Sequence, residues 1–203
     1  MSAGKSKKRK IKKSELIFIL SAVILPCIHW LVFYVYPNIA SIGMAFINSD
    51  GLWSLDNFKR YGTFASMLEP TGPSLGDFYN DQVEFPVSGN LPIAFSPLVV
   101  HKGEMLVTMA EYHDTTCEGV LPMDDDVVLH VAPATKEPVP ELTEAFIVPK
   151  GTMVKLNVGV WHLAAMPIHL DTAHVMITLP ERIYKTDCVV VDYQPEQYVK
   201  IEL

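Results

Sequence analysis

The chain has 203 residues and a formal net charge of −7, enough for one ordinary domain with an appendage but not for two full domains. The average conceals two regions: the first 62 residues carry nine Lys and Arg against three Asp and Glu, or +6, whereas the remainder carries seven against twenty, or −13. Phosphate binding needs clustered basic side chains, which excludes the acidic part as a nucleic-acid surface; three widely spaced cysteines, Cys27, Cys117 and Cys188, exclude a disulfide scaffold and a zinc ribbon.

Residues 1–15 form a basic tail containing Lys5, Lys7, Lys8, Arg9, Lys10, Lys12 and Lys13. From Leu16 to Tyr36 no Asp, Glu, Lys or Arg occurs, and a run of that length predicts a transmembrane helix, kinked at Pro26, with Trp30, Tyr34 and Tyr36 at the interface. The preceding basic cluster places the N-terminus in the cytoplasm and the rest of the chain on the outer face. The stretch KKRKIKKSELIFILSAVILPCIHWLVFYVYPNIASIGMAF, followed by GLWSLDNFKRY, resembles the opening of a carbohydrate ABC-transporter permease. Such permeases use about six spans, so the resemblance implies an anchor and no transport. Residues 37–57 read as a linker, or the seam of a fusion.

From residue 58 the pattern changes to short apolar runs punctuated by Pro and Gly: 105–113, 127–132, 145–149, 152–158, 174–180 and 188–193. Their spacing predicts an all-β sandwich or small barrel spanning 58–203, with few, short helices. PATKEPVPE (133–141) reads as a loop. Asp124, Asp125 and Asp126 read as a solvated acidic turn, since they lack the ligand spacing of an EF-hand.

The chemistry-bearing line is EYHDTTCEGVLP, 111–122. Glu111 and His113 are two apart, which puts both side chains on one face of a strand; Glu118 returns to that face after a turn, and His162 in GVWHL is a fourth candidate. Two carboxylates and two imidazoles converging in a barrel could hold Mn2+, Fe2+, Zn2+ or Ni2+ and leave positions open for a substrate. The spacing equally allows satisfied core side chains, and His101, His130, His169 and His174 read as structural.

The ordered set FKRYG (58–62), EYH…EGVLPMDDDVVLHVA (111–132), ELTEAFIVPKG (141–151), GVWH (159–162) and TDCVVV (186–191) is similar to the ureidoglycolate lyase family. The resemblance implies a cupin, a double-stranded β-helix barrel, homodimeric through this region, acting on a small-molecule substrate: it splits ureidoglycolate into glyoxylate and urea in nitrogen recovery from purines. Applied to these residues, it implies catalysis by His113, Glu118 and His162, a metal set of Glu111, His113, Glu118 and His162, and substrate-carboxylate binding by Arg182 and Lys155. Where bacterial members tend to read His-Arg-Asn-Val-Trp-His-His, this chain reads Asn157-Val158-Gly159-Val160-Trp161-His162-Leu163 and lacks groups that would bind an anion. A cupin that binds or isomerises a carbohydrate or other metabolite is the alternative, and a truncated permease a third. Ureide breakdown belongs in the cytosol and an outward-facing anchor does not, so the sequence leaves two locations: membrane-anchored as written, cytoplasmic without the N-terminal segment.

Overall fold

A computed structural model describes residues 43–46, 55–86 and 89–203. The chain divides into Met1–Ser41 and Ile42–Leu203. The first unit, and with it the expected tail, the Leu16–Tyr36 helix and most of the permease-like motif, lies outside the described residues. Among the described residues no helix is long and apolar enough to cross a membrane.

The second unit is all-β. Its strands are β1 (Gly43–Phe46), β2 (Gly62–Ser66), β3 (Ile93–His101), β4 (Leu106–Val107), β5 (Met109–Tyr112), β6 (Glu118–Pro122), β7 (Val127–Ala132), β8 (Glu144–Val148), β9 (Thr152–Leu156), β10 (Trp161–His162), β11 (Met166–Pro167), β12 (Thr172–Pro180), β13 (Val189–Asp192) and β14 (Val199–Glu202). Among the described residues the one α-helix, α1, is Ile183–Thr186, and short 3-10 turns fall at Leu55–Arg60, Pro140–Leu142 and Pro195–Gln197. β1 arises inside the stretch expected as linker and pairs in parallel with β14, so the β unit reaches back before residue 58.

Two larger antiparallel sheets organise the unit. One runs β2-β9-β6-β12-β3; the other runs β11-β7-β10-β5-β13, with β8 also on β7. Side-chain alternation sends Val120, Val154, Leu156, Ala173 and Val175 from the first sheet, and Val127, Leu129, Val131, Phe146 and Val148 from the second, into one shared core. The opposite face of the second sheet is covered as well, by a cluster joining Val128, Ala132 and Trp161 to Val107, Val199 and Ile201. A strand buried on both faces needs no polar alternation, which is why β7 reads VVLHVA.

β3 is the longest strand that hydrophobic patterning does not mark, because Pro97 interrupts it. Pro97 pairs with Met176 of β12, and β3 ends its sheet, where a missing N–H on the free edge costs no ladder bond. The Asp124–Asp126 turn is not merely solvated. Asp125 is 3% exposed, and its Oδ2 accepts the backbone N–H of Ile168, His169 and Leu170 at 3.1, 2.9 and 2.9 Å. Asp124 pairs with His174 Nδ1 at 2.5 Å, so these two carboxylates fix the segment between β11 and β12 and the start of β12.

Candidate active site

Both sheets contribute to one cluster in the space between them. His162 lies opposite Glu111 on the neighbouring strand and opposite Val131 on the other side, which turns it toward the shared core while Trp161 faces the outer cluster. Entry into β10 depends on Gly159, at φ +79°, a left-handed conformation that costs a β-carbon-bearing residue energy. Its N–H donates to the His113 carbonyl at 2.8 Å, linking the two histidine segments. Glu118 comes from β6 in the facing sheet, on the same side as Val120. Its neighbour Gly119 points the other way, where an added Cβ would stand 2.7 Å from the Phe85 ring.

His113, Glu118 and His162 are all buried, and their donor atoms lie within 4.8 Å of one another. Glu118 Oε2 is 2.7 Å from His113 Nε2 and 3.2 Å from His162 Nε2. The outer nitrogens fix the tautomers: His113 Nδ1 donates to the Asp187 carbonyl at 2.5 Å and His162 Nδ1 to the Val160 carbonyl at 2.8 Å. A carbonyl oxygen can only accept, so Nδ1 carries a hydrogen in each ring. Both neutral rings would then aim Nε2 lone pairs at a carboxylate oxygen, and three acceptors facing one another require protons or a cation between them. This donor set, two imidazoles and a carboxylate with outer nitrogens bonded to carbonyls, fits a divalent metal ion.

The electrostatics agree. Burial alone would push Glu118 up, but the His162 and His113 imidazoles outweigh it and bring the carboxyl down to about 2. Burial opposes charge on His113, yet the Glu118 carboxylate and the Asp187 carbonyl raise it above its ordinary value. His162 rises for the same reason, with Glu118 overcoming burial.

Glu111 lies outside that three-atom group. It lines a cavity of about 200 Å3 together with His113, Glu118 and Cys188, and its Oε2 accepts from the Cys188 thiol at 3.2 Å. Burial, then the Glu111 carboxylate, pushes that thiol up to about 12. Of the expected ligands, the structure therefore unites three and gives Glu111 a different neighbour.

Lys155 and Arg182 do not join the site. On β9, Val154 and Leu156 belong to the core, so the intervening Lys155 points to the other face, opposite Gly119. Arg182 is exposed and pairs with the adjacent Glu181 at 2.9 Å. Neither lines the cavity, whose described walls contain no Lys or Arg.

Two contributors escaped the sequence reading. The Asp187 carboxylate accepts from the N–H groups of Asp114 and Thr115 at 2.7 and 2.9 Å and from the Thr115 hydroxyl at 2.5 Å. With its carbonyl on His113, Asp187 clamps the 113–118 turn that carries ligands from one sheet to the other. Cys188 follows it in the TDC triplet, whose position just before a β-rich run was the one available signal. A larger open hollow of about 610 Å3, lined in part by Phe64, Glu69, Asn80 and Asp81, includes no His or Cys.

A family model described as Ureidoglycolate lyase matches residues 78–200, more than half of the chain. No curated protein matches. Solved structures similar to this chain include Bacillus subtilis oxalate decarboxylase, studied for its Mn(II) centres, with 14% identity and a TM-score of 0.36 over 49% of this chain and 23% of that one. RmlC from Streptococcus suis in complex with dTDP-D-xylose has 10% identity and a TM-score of 0.33 over 44% of each chain. The dTDP-6-deoxy-D-glucose-3,5-epimerase RmlC from Legionella pneumophila has 16% identity and a TM-score of 0.29 over 57% of this chain and 56% of that one. The chain thus spans less than a quarter of the decarboxylase and about half of each RmlC chain.

Proposed function

The chain belongs to the ureidoglycolate lyase family, and from that premise we propose that it is a carbon–nitrogen lyase cleaving ureidoglycolate to glyoxylate and urea, on a cupin-type double-stranded β-helix. The observation that carries this reading is the convergence of His113 Nε2, Glu118 Oε2 and His162 Nε2, two of which, on His113 and Glu118, belong to residues lining a cavity together with Glu111.

Ureidoglycolate bears a hydroxyl and a ureido nitrogen on one carbon. Cleavage removes the hydroxyl proton, converts the C–O bond to a carbonyl, breaks the C–N bond and delivers a proton to the departing nitrogen, so no co-reactant is required. Glu111 suits both transfers: it lines the cavity but stands outside the three-atom cluster, and the two reacting groups share a carbon. It takes the hydroxyl proton and returns it to the nitrogen. A divalent cation held by His113, Glu118 and His162 would supply Lewis-acid polarisation of the hydroxyl and carboxylate oxygens. Hydrogen bonds from both Nδ1 atoms to backbone carbonyls hold the imidazoles in register for that role. With no Lys or Arg among the described residues of the cavity wall, the countercharge for the substrate carboxylate comes from this cluster. We carry the family's homodimer through the β unit as part of the same reading.

The test is release of glyoxylate and urea from ureidoglycolate by the purified chain, supplied in turn with Mn2+, Fe2+, Zn2+ and Ni2+. Glu111→Gln should lower the rate by roughly 10²- to 10⁴-fold, the range for loss of a general acid–base. Absence of glyoxylate release by the wild type under every one of these conditions would sink the proposal.

A further inference from the structure

Exposure orders the cavity lining by depth. His113 and Glu118 are 4% and 7% exposed and lie at the floor, whereas Tyr184 lines the same cavity while 68% exposed, which places its ring at the mouth. Tyr184 belongs to α1, and two residues past the end of that helix Cys188 lines the cavity too, with its thiol on Glu111. The segment 184–188 thus runs from the mouth to the carboxylate assigned to proton transfer.

Hydrogen-bond donors are scarce along this cavity. The described lining holds no Lys, Arg, Ser, Thr, Asn, Gln or Trp. His113 directs its Nδ1–H to the Asp187 carbonyl and its Nε2 to Glu118, and the Cys188 thiol is engaged by Glu111. The Tyr184 hydroxyl has no partner among the described residues, so it is the lining side-chain donor still open to a ligand. Ureidoglycolate carries three acceptor groups: its carboxylate, its hydroxyl and its ureido carbonyl. The first two are directed to the cluster of His113, Glu118 and His162. The third is bonded to the nitrogen that Glu111 protonates, so it falls on the side of the cavity along which 184–188 runs.

Resting on the lyase reading above, we infer that the Tyr184 hydroxyl donates a hydrogen bond to the ureido carbonyl oxygen and stabilises urea as it departs. The C–N bond breaks with its electron pair on nitrogen, and that pair spreads onto the carbonyl oxygen before Glu111 returns the proton to nitrogen. A donor at that oxygen bonds more strongly in the transition state than in the bound substrate. Tyr184 keeps its own proton, and no co-reactant enters.

Tyr184→Phe removes the hydroxyl and keeps the ring at an exposed position, so the midpoint of denaturant unfolding should not move. With ureidoglycolate, kcat should fall roughly tenfold and KM rise about threefold or less, short of the roughly 10²- to 10³-fold loss for a water-excluded donor because water reaches the mouth. Sulfur substitution reads the contact itself. A thiocarbonyl accepts hydrogen bonds poorly, so the same variant should slow cleavage of thioureidoglycolate by about twofold or less. Equal losses on the two substrates, or no loss on ureidoglycolate, overturn the inference.

Calorimetric titration of the full chain in Mn2+ with N-carbamoylglycine and N-thiocarbamoylglycine, which lack the reacting hydroxyl, makes the same comparison without turnover. Tyr184→Phe should weaken binding of the first alone, by about threefold. If that difference holds while the wild type cleaves neither hydroxy compound, the lyase reading falls and the contact stands. If wild type and variant cleave ureidoglycolate equally, the inference alone falls. With neither cleavage nor a difference in binding, both fall.

Discussion

His130 and His162 occupy adjacent strands of one sheet, both 2% exposed, yet their environments drive them in opposite directions. His130 lies in β7, and among the described residues no hydrogen-bond partner reaches its Nε2; burial, with a further push from His162, brings its pKa down to about 3. His162 meets the Glu118 carboxylate, which overcomes burial and raises it. Burial alone keeps an imidazole neutral, whereas burial beside a carboxylate makes it a place for a proton or a metal ion. One side of the sheet is a core that happens to contain a histidine; the other is a site.

The largest test of that contrast is Glu118→Gln. With the carboxylate gone, His162 should drop below its ordinary pKa like His130, a change visible in imidazole NMR titration. Glyoxylate release should fall by at least the roughly 10²- to 10⁴-fold expected for Glu111→Gln. A His162 pKa that stays raised would show that Glu118 is not what distinguishes the two rings.

Next in size is the acid sensitivity that His130 imposes. Its folded pKa is depressed, so the unfolded chain takes up the proton first, and stability falls as pH drops from about 6.5 toward 3. His113 and His162 work the other way: their raised pKa values give stability that is fully present below about 6.5 and lost as pH rises through the folded values. Glu118, depressed from 4.5 to about 2, contributes above 4.5 and loses that contribution as pH falls toward 2. His130→Leu removes only the first effect, and it should improve stability at pH 4 relative to pH 7 by an amount on the order of a few kcal/mol. Denaturant unfolding of both proteins across that range decides it, since parallel slopes would contradict the assignment.

Asp187→Ala should cost roughly 2 kcal/mol by releasing three hydrogen bonds to a charged group. It should also loosen the 113–118 turn, read as faster amide exchange at Asp114 and Thr115; unchanged exchange would dismiss the clamp. The smallest effects belong to Lys155→Met and Arg182→Ala. Both should leave KM unaltered and shift stability within about 0.5 kcal/mol, as surface substitutions do. A rise in KM for either would return it to the site.

Period-two alternation put Glu111 and His113 on one face, and short apolar runs bounded by turn residues marked the strands at 127–132 and 174–180. The same rule, applied to TMVKL, turns Lys155 away from the core face occupied by Val154 and Leu156, so that error was avoidable from the pattern itself. Asp187 was not legible in this way, because its role depends on backbone groups 72 and 73 positions earlier. Which ring would be paired was equally hidden. His130 and His162 sit in similarly apolar runs, and only sheet register places one opposite the strand that leads to Glu118. Arg182 misled by charge alone, its backbone held at φ 67° in a turn that spends its guanidinium on the neighbouring Glu181.

The cluster is divided between two sheets, with Glu118 and His162 separated by 44 positions in sequence. A growing chain therefore cannot assemble it until β10 has been synthesised and docked, and hairpins formed earlier leave Glu118 to water. Closing so wide a loop is among the slower steps of β folding. A cation taken up afterwards would act as a rivet between the sheets, favouring the closed form by mass action and retarding hydrogen exchange in β6 and β10 together.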